Sequence, residues 1–455
     1  MNDQVERLLA LDGQLWPNTN RSALRLGWIG SQASRSEKIS ELERWTDTVD
    51  QSKILWVGLG MGSSTKMLAE SVLSTGAGNG REITFVDSTN TDLLDELELS
   101  DSFVVFTAPP GLEKESQWLL RHLRERIRSP RRFAAISHSG SSLDRLATEE
   151  GFWRSLHLDP ELGTAFSTLD PANTAVISFL GGTAAQSVIS TSDIDLDQIA
   201  AAAFNHALLA REGVNVFGLS GASALEAASD WLEEFLASTL GRTARGLVAT
   251  KSVTLDAALD ATSLCQGGTD PASIARFVLA WQIFAVLFAS ELGIDPFMEA
   301  KRTDIEDDQL REILANPPEA PSGISLQAAN EWISRQRRSD SYLAVVNWGP
   351  PLDNKMKNSV MRAWSDRFDR IPTFVCNGPG HLTTLSPMFR SGPARPLVLQ
   401  VMPNRKPKRL PIPGESFGFG EVNMALADIE AAGMKRVGRS SVRLLTLDDS
   451  ELLNG

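Results

Sequence analysis

The spacing of apolar residues changes character at Lys53. Before it, residues 1–50 read as mainly helical, with Trp16, Leu26 and Trp28 as apolar anchors. Beyond it, short apolar runs alternate with segments of helical period. Strands are expected at 53–58, 83–87, 102–107 and 132–137, and helices near 63–75, 90–98, 113–129 and 141–149. That alternation predicts a doubly wound parallel sheet. A helical stretch near 171–189 and a polar link at 190–197 predict a boundary. A second series follows, with a helix at 197–211, a strand at 214–219, a helix at 223–240 and a strand at 246–252. Two long helices, 272–292 and 297–315, are parted by Gly293 and Pro296. A proline-rich break leads to another helix and to strands at 341–348, 372–377, 396–402 and 441–447. The expected architecture is an N-terminal helical segment (1–50), a first α/β domain (51–190), and a second α/β domain with helical insertions and a C-terminal segment (191–455).

The first strand runs into glycines at alternate positions, Gly58, Gly60 and Gly62, and then into Ser63 and Ser64 at the head of a helical segment. A strand that breaks through glycines into a helix leaves backbone N–H groups free at the positive end of the helix dipole, a natural seat for an anion. A turn that merely packs a helix closely on a strand would carry the same glycines. The spacing G-x-G-x-G departs from the G-x-G-x-x-G of dinucleotide sites, although Asp87 ends the second strand where a ribose-binding acid would lie. Nicotinamide or flavin binding is therefore disfavoured. A second small-polar loop, Ser137-His138-Ser139-Gly140-Ser141-Ser142, precedes another helix. Its hydroxyls suit an anion or a sugar, while helix capping by Ser141 explains part of the pattern.

Composition narrows the classes. The chain has 455 residues and a net charge of −13, which disfavours nucleic acid and anionic membrane surfaces as partners. The basic residues Arg405, Lys406, Lys408 and Arg409 lie among prolines and read as a solvated loop. Cys265 and Cys376 are too few for a disulfide framework or a zinc site, and the five histidines show no metal spacing. The N-terminus lacks a secretion pattern, and the apolar run at 277–289 is short of a membrane span and reads as a buried core helix. These features place the protein in the cytoplasm. Of the histidines, His381 alone lies beside a Gly-Pro-Gly turn and is a candidate general base. The acids Asp304, Glu306, Asp307 and Asp308 read as a solvated helix face.

Taken together, these stretches resemble the glucose-6-phosphate isomerase family, built of two sugar-isomerase (SIS) domains, and most closely the isomerase half of bacterial fused transaldolase–isomerase proteins. Arg7-Leu-Leu-Ala-Leu-Asp-Gly-Gln-Leu-Trp16, Arg25-Leu-Gly-Trp28, Gly58-Leu-Gly-Met-Gly-Ser-Ser64 and Phe85-Val-Asp-Ser-Thr-Asn90 carry the likeness in the first part of the chain. Gly293-Ile-Asp-Pro-Phe297, Gly378-Pro379 and Pro411-Ile-Pro-Gly-Glu-Ser-Phe-Gly-Phe-Gly420 carry it further on. The resemblance implies two doubly wound α/β domains, reversible conversion of glucose 6-phosphate to fructose 6-phosphate through an enediol, a glutamate base, no metal or redox cofactor, and a homodimer.

The parts of that machinery are largely replaced. The family's phosphate loop is matched by Thr107-Ala-Pro-Pro-Gly-Leu-Glu113, where two prolines remove N–H donors and Glu113 would repel a phosphate. Its enediolate-stabilising arginine is matched by Ala165, its catalytic glutamate by Ser238, its ring-opening histidine by Thr383 and its lysine by Glu306. His381 and Lys301 are the candidate substitutes. A serine cannot take a proton from carbon at neutral pH, and general-base catalysis supplies roughly 10²–10⁴-fold. The expectation is a catalytically degenerate isomerase homologue that binds a sugar-type ligand or a partner. Its ligand contacts would come from Gly58, Gly60, Gly62, Ser63, Ser64, Ser139, Ser141 and Ser142. Two alternatives stand beside it: an active phosphosugar isomerase with relocated residues, and a structural subunit associated with a sugar-phosphate enzyme.

Overall fold

A computed structural model describes residues 2–17, 25–29, 32–60, 62–108, 112–160, 162–220, 226–251, 258–260, 264, 268–299, 302–446 and 450–453. Its first sheet has the order β2-β1-β3-β4-β5, with β1 Lys53–Val57, β2 Glu82–Val86, β3 Ser102–Thr107, β4 Phe133–Ser137 and β5 Arg154–His157. Every pairing is parallel; Leu55 faces Thr84 on one side and Val104 on the other. Such a sheet must bury both faces. β1 does so by alternation, sending Ile54 and Trp56 into one core and Leu55 and Val57 into another.

Helices return the chain from strand to strand, as right-handed crossovers require. Those of the first half are α1 Asn2–Leu9, α2 Gln32–Thr46, α3 Gly62–Leu73, α4 Thr91–Asp95, α5 Glu113–Arg126, α6 Ser142–Glu150 and α7 Pro171–Phe179. The N-terminal helical region is built into the first core: Trp45 of α2 packs edge-on against Phe179 of α7 at 5.4 Å and against Phe103 of β3 at 6.2 Å. The helix expected over 171–189 stops at Phe179, because Gly181 takes φ +83° and turns the chain.

The second half differs from expectation. Its strands do not form one series but two sheets. β6 Val216–Ser220, β7 Val248–Thr250 and β8 Ala258–Asp260 make a small parallel sheet of order β7-β6-β8. β9 Ser341–Asn347, β10 Thr373–Asn377, β11 Arg395–Pro403 and β12 Ser440–Thr446 make another, of order β10-β9-β11-β12. This last sheet repeats the winding of the first, in which the second strand adds to one side and the third and fourth to the other. The two similar doubly wound sheets are therefore those of β1–β5 and β9–β12. Tyr342, Ala344 and Val346 of β9 share a core with Leu55, Val57 and Phe106 of the first sheet.

The helices of this half are α8 Leu196–Arg211, α9 Glu226–Thr239, α10 Pro271–Leu292, α11 Asp304–Ala315, α12 Leu326–Gln336, α13 Asn354–Arg367, α14 Ser386–Ser391, α15 Phe419–Arg436 and α16 Ser450–Leu453. α10 is long and apolar enough to cross a membrane by those criteria alone, yet it is the packed centre of the protein, with Trp281, Phe284 and Phe288 fully buried. Asp270 caps its start by accepting from the Ala272 and Ser273 N–H groups, and Gly293 in the left-handed region ends it. Its one internal amide, Gln282, donates to the Phe166 carbonyl at 3.2 Å. The helix expected at 297–315 begins only at Asp304. Asp295 accepts from Phe297 N–H to hold a turn, and Thr303 with Glu306 forms a capping box at the true start.

Candidate functional site

The loop after β1 is held between the two doubly wound sheets. Gly58 N–H donates to Val86 O at 3.0 Å, and Gly60 follows at φ +72°. A Cβ on Gly60 would overlap Thr383 Oγ1 and stand 2.6 Å from the Gly380 carbonyl oxygen. Glycine is thus required twice over, by backbone sign and by the approach of the 378–384 turn. At Gly62, the first residue of α3, a Cβ would come 2.5 Å from Asp87 Oδ2. Asp87 accepts from Lys66 Nζ at 2.9 Å. Burial works to raise its carboxyl, and Lys66 outweighs that and leaves it below the ordinary range.

Ser63 and Ser64, in the first turn of α3, open onto a cleft. The opposite wall is one face of α9, where Trp231, Glu234, Phe235 and Ser238 recur at helical spacing, followed by Arg242. Trp231 stacks on Phe235 with ring centres 4.9 Å apart, and its indole N–H donates to Thr168 Oγ1 at 3.1 Å. Thr164, Ala165 and Thr168 line one end, with Met298 and Glu299, and Thr383 and Thr384 close the cleft above Gly60. The lining is aromatic and hydroxyl-rich, which suits a polyol: ring faces take C–H surfaces and short side chains exchange hydrogen bonds with hydroxyls.

Three charged groups face this space. Glu234 Oε2 accepts from Ser63 Oγ at 2.6 Å, and burial raises the Glu234 carboxyl above its ordinary value. Glu299 is paired with Arg25 at 3.2 Å. Arg242 donates to Met298 O at 2.5 Å and Thr383 O at 3.1 Å, and burial pushes its guanidinium down to about 10.

The structure brings Gly60, Ser63, Ser64, Ala165, Ser238 and Thr383 to this cleft from widely separated parts of the chain. Ser238 Oγ donates to the Phe235 carbonyl of its own helix at 2.9 Å and offers no base. Gly58 and Gly62 shape the loop without lining the cleft. Ser139, Ser141 and Ser142 are not part of it. Ser141 caps α6 by accepting from Asp144 N–H, which gives that serine a local role.

Three further expectations are corrected or fall outside the description. His381 does not face the cleft; it is buried, with Nε2 2.8 Å from Glu430 Oε1 and its ring edge-on to Trp348. Burial works to raise the Glu430 carboxyl, but His381, with help from Arg390 and Ser386, holds the group below its ordinary value. Glu306 is not on a solvated face: it is 3% exposed, accepts from Thr303, and pairs with Arg390 and Arg436. It lines a neighbouring cavity instead. Asp304 and Asp308 are exposed as expected. Lys301 lies outside the described residues, as do residues 109–111 of the segment matched to the phosphate loop.

Reading the sequence missed Glu234 and Arg242. Both stand four residues from Ser238, and a residue at i−4 on the same helix covers the same face. That spacing was the available signal for Glu234. Arg242 lies past the helix end, where periodicity gives no direction.

No family model matches the chain, and no curated protein matches it. Among solved structures it is similar to a hypothetical protein from Thermus thermophilus, with 14% identity over 98% of this chain and 82% of that one and a TM-score of 0.42. It is also similar to a glucose-6-phosphate isomerase from Chlamydia trachomatis, with 15% identity over 69% of this chain and 78% of that one and a TM-score of 0.45. A candidate phosphosugar isomerase from Salmonella typhimurium matches 60% of this chain and 97% of its own at 9% identity, with a TM-score of 0.39.

Proposed function

We propose that this chain is a glucose-6-phosphate isomerase-type protein that keeps a sugar-binding cleft and has lost the ordinary isomerase chemistry, acting in the cytoplasm by binding a sugar or sugar-phosphate-type ligand. The observation that carries this reading is convergence. Gly60, Ser63, Ser64, Ala165, Ser238 and Thr383, picked out separately by motif, line one cleft with an aromatic wall and a rim of hydroxyls. The same positions supply no group of the kind the family's reaction uses. Ala165 has no charge, Ser238 is bonded back to its helix, and Thr383 is a hydroxyl. The nearest histidine, His381, is committed to Glu430.

A second reading is favoured by one observation: Glu234, a carboxylate that burial raises above its ordinary value, lines the cleft next to Ser63. Tuning of this kind is how a carboxylate becomes a base near neutral pH. On that reading the protein is an active phosphosugar isomerase whose base has moved one helical turn.

A thermal-shift panel tests the ligand class. Stabilisation by glucose 6-phosphate or fructose 6-phosphate, with none by nicotinamide dinucleotides, supports a sugar cleft. Stabilisation by dinucleotides alone, or by none of these, counts against it and returns the chain to a structural role beside a sugar-phosphate enzyme, which co-purification would expose.

A further inference from the structure

Arg242, 9% exposed, is a buried cation in no ion pair among the described residues; the carboxylate that acts on it, Glu299, is itself paired with Arg25. Two of its nitrogens donate to backbone carbonyls, while its Nε–H is buried with no partner. An unpaired charge away from water is destabilising, and an unmatched buried N–H adds to that. The two bonds of Arg242 tie the chain at Met298 and Thr383 together but leave the charge and the Nε–H unmatched.

Its position points to what would match them. Arg242, Met298, Glu299 and Thr383 border both the cleft and a second cavity, so Arg242 stands in the wall the two spaces share. The other arginines of the second cavity are already neutralised. Arg302 grips Glu115 with two bonds of 2.6 and 2.8 Å, and Arg390 pairs with Glu306. Arg302 and Arg390 also keep buried Nε–H groups without a hydrogen bond, but Arg302 Nε stands 2.8 Å from Asp307 Oδ1 and Arg390 is paired through Nη1, so of the three only Arg242 lacks an ion pair. The surrounding carboxylates are occupied: Glu299 by Arg25, Glu306 by Arg390 and Arg436, and Glu430 by His381. Glu234, the remaining acid, is turned to Ser63.

We propose that Arg242 is the seat for the anionic group of the cleft's ligand, a polyol carrying a phosphate monoester or a carboxylate. The polyol lies along Trp231 and Phe235, and its charged end reaches the wall between the cavities. An arriving anion satisfies the orphaned Nε–H and the uncompensated charge together, in a poorly solvated setting where charge-assisted bonds are strong. The seat differs from the 107–113 segment, whose prolines and Glu113 suit no anion. This assignment rests on the sugar-cleft reading above.

Calorimetric titration of the full chain tests it, with glucitol, gluconate, glucitol 6-phosphate and inorganic phosphate as probes. The proteins are the wild type, Arg242→Gln and Arg242→Lys. Gluconate or glucitol 6-phosphate should bind the wild type at least about tenfold more tightly than glucitol. Arg242→Gln should erase that margin, and Arg242→Lys, which keeps the charge without the planar fork, should retain part of it. Whichever anionic polyol binds better identifies the group that is held. Equal binding of all three polyols, or an anion preference that survives Arg242→Gln, overturns the assignment and leaves the sugar cleft standing. Binding of inorganic phosphate that depends on Arg242, with no polyol bound, upholds the seat and removes the sugar reading. Binding of none of the four overturns both.

Discussion

Gly60 joins fold and site, and replacing it separates two physical effects. Gly60→Ala places a methyl group against Thr383 Oγ1 and the Gly380 carbonyl, at a residue with φ +72°. Gly140 has nearly the same backbone, φ +73°, but a Cβ there meets nothing within 4 Å. The left-handed conformation costs an L-residue about 1–2 kcal/mol, and both variants incur it. Only Gly60→Ala also forces packed atoms apart, at a further cost of about 1–3 kcal/mol. Gly140→Ala should therefore lose about 1–2 kcal/mol and Gly60→Ala about 2–5 kcal/mol. Urea unfolding followed by tryptophan fluorescence gives the two midpoint shifts at unchanged slope. Because the methyl group wedges the 378–384 turn away from α3, Gly60→Ala should also weaken ligand binding in the cleft, while Gly140→Ala leaves it intact. Equal losses of stability would refute the close approach on which the geometry of the cleft depends.

Three other predictions follow from buried charge. Burial, partly offset by Lys251, raises the Glu233 carboxyl from 4.5 to about 7. The folded protein therefore holds a proton between pH 4.5 and 7 that the unfolded chain releases. Stability falls as pH rises through that window, by about 3 kcal/mol from this group, and is unaffected by it below pH 4.5. Glu233→Gln should flatten that slope in melts from pH 4.5 to 8; an unchanged slope would show that the carboxyl is not desolvated. Glu430→Leu leaves buried His381 Nε2 without its acceptor and should cost about 3–5 kcal/mol in urea unfolding, whereas a loss below about 1 kcal/mol would mean that the pair is solvated. Glu234→Gln preserves an acceptor for Ser63, so it should change sugar-phosphate affinity by less than about tenfold in calorimetry. A wild-type turnover that this substitution removes by roughly 10²-fold or more would establish the relocated-base reading.

Much of the first sheet was legible because its strands are apolar runs bounded by glycine and polar turns, and β1 breaks into α3 at the glycines that shape the cleft. The second half was harder. β6, β7 and β8 are as short as three residues, and local pattern does not say which sheet a strand joins. Pairing is decided by tertiary partners, and β9 found its partners in β10 and β11. Polarity also misled. Glu306 reads as one of a run of surface acids, but a capping box and two arginines bury it. Ser139, Ser141 and Ser142 look like a ligand loop, but they do not line the cleft, and Ser141 caps α6. Gly60, Ser63, Ser64, Ala165, Ser238 and Thr383 could be named one by one, while their convergence, and the charges of Glu234 and Arg242 among them, became visible only in three dimensions.

Interconversion of glucose 6-phosphate and fructose 6-phosphate by the purified, folded protein, followed through a coupled dehydrogenase, tests the central claim most directly. Loss of the ordinary isomerase chemistry predicts no turnover above background. Turnover in the common enzyme range of roughly 1–10³ s⁻¹ would contradict that account and make Glu234 the first residue to replace.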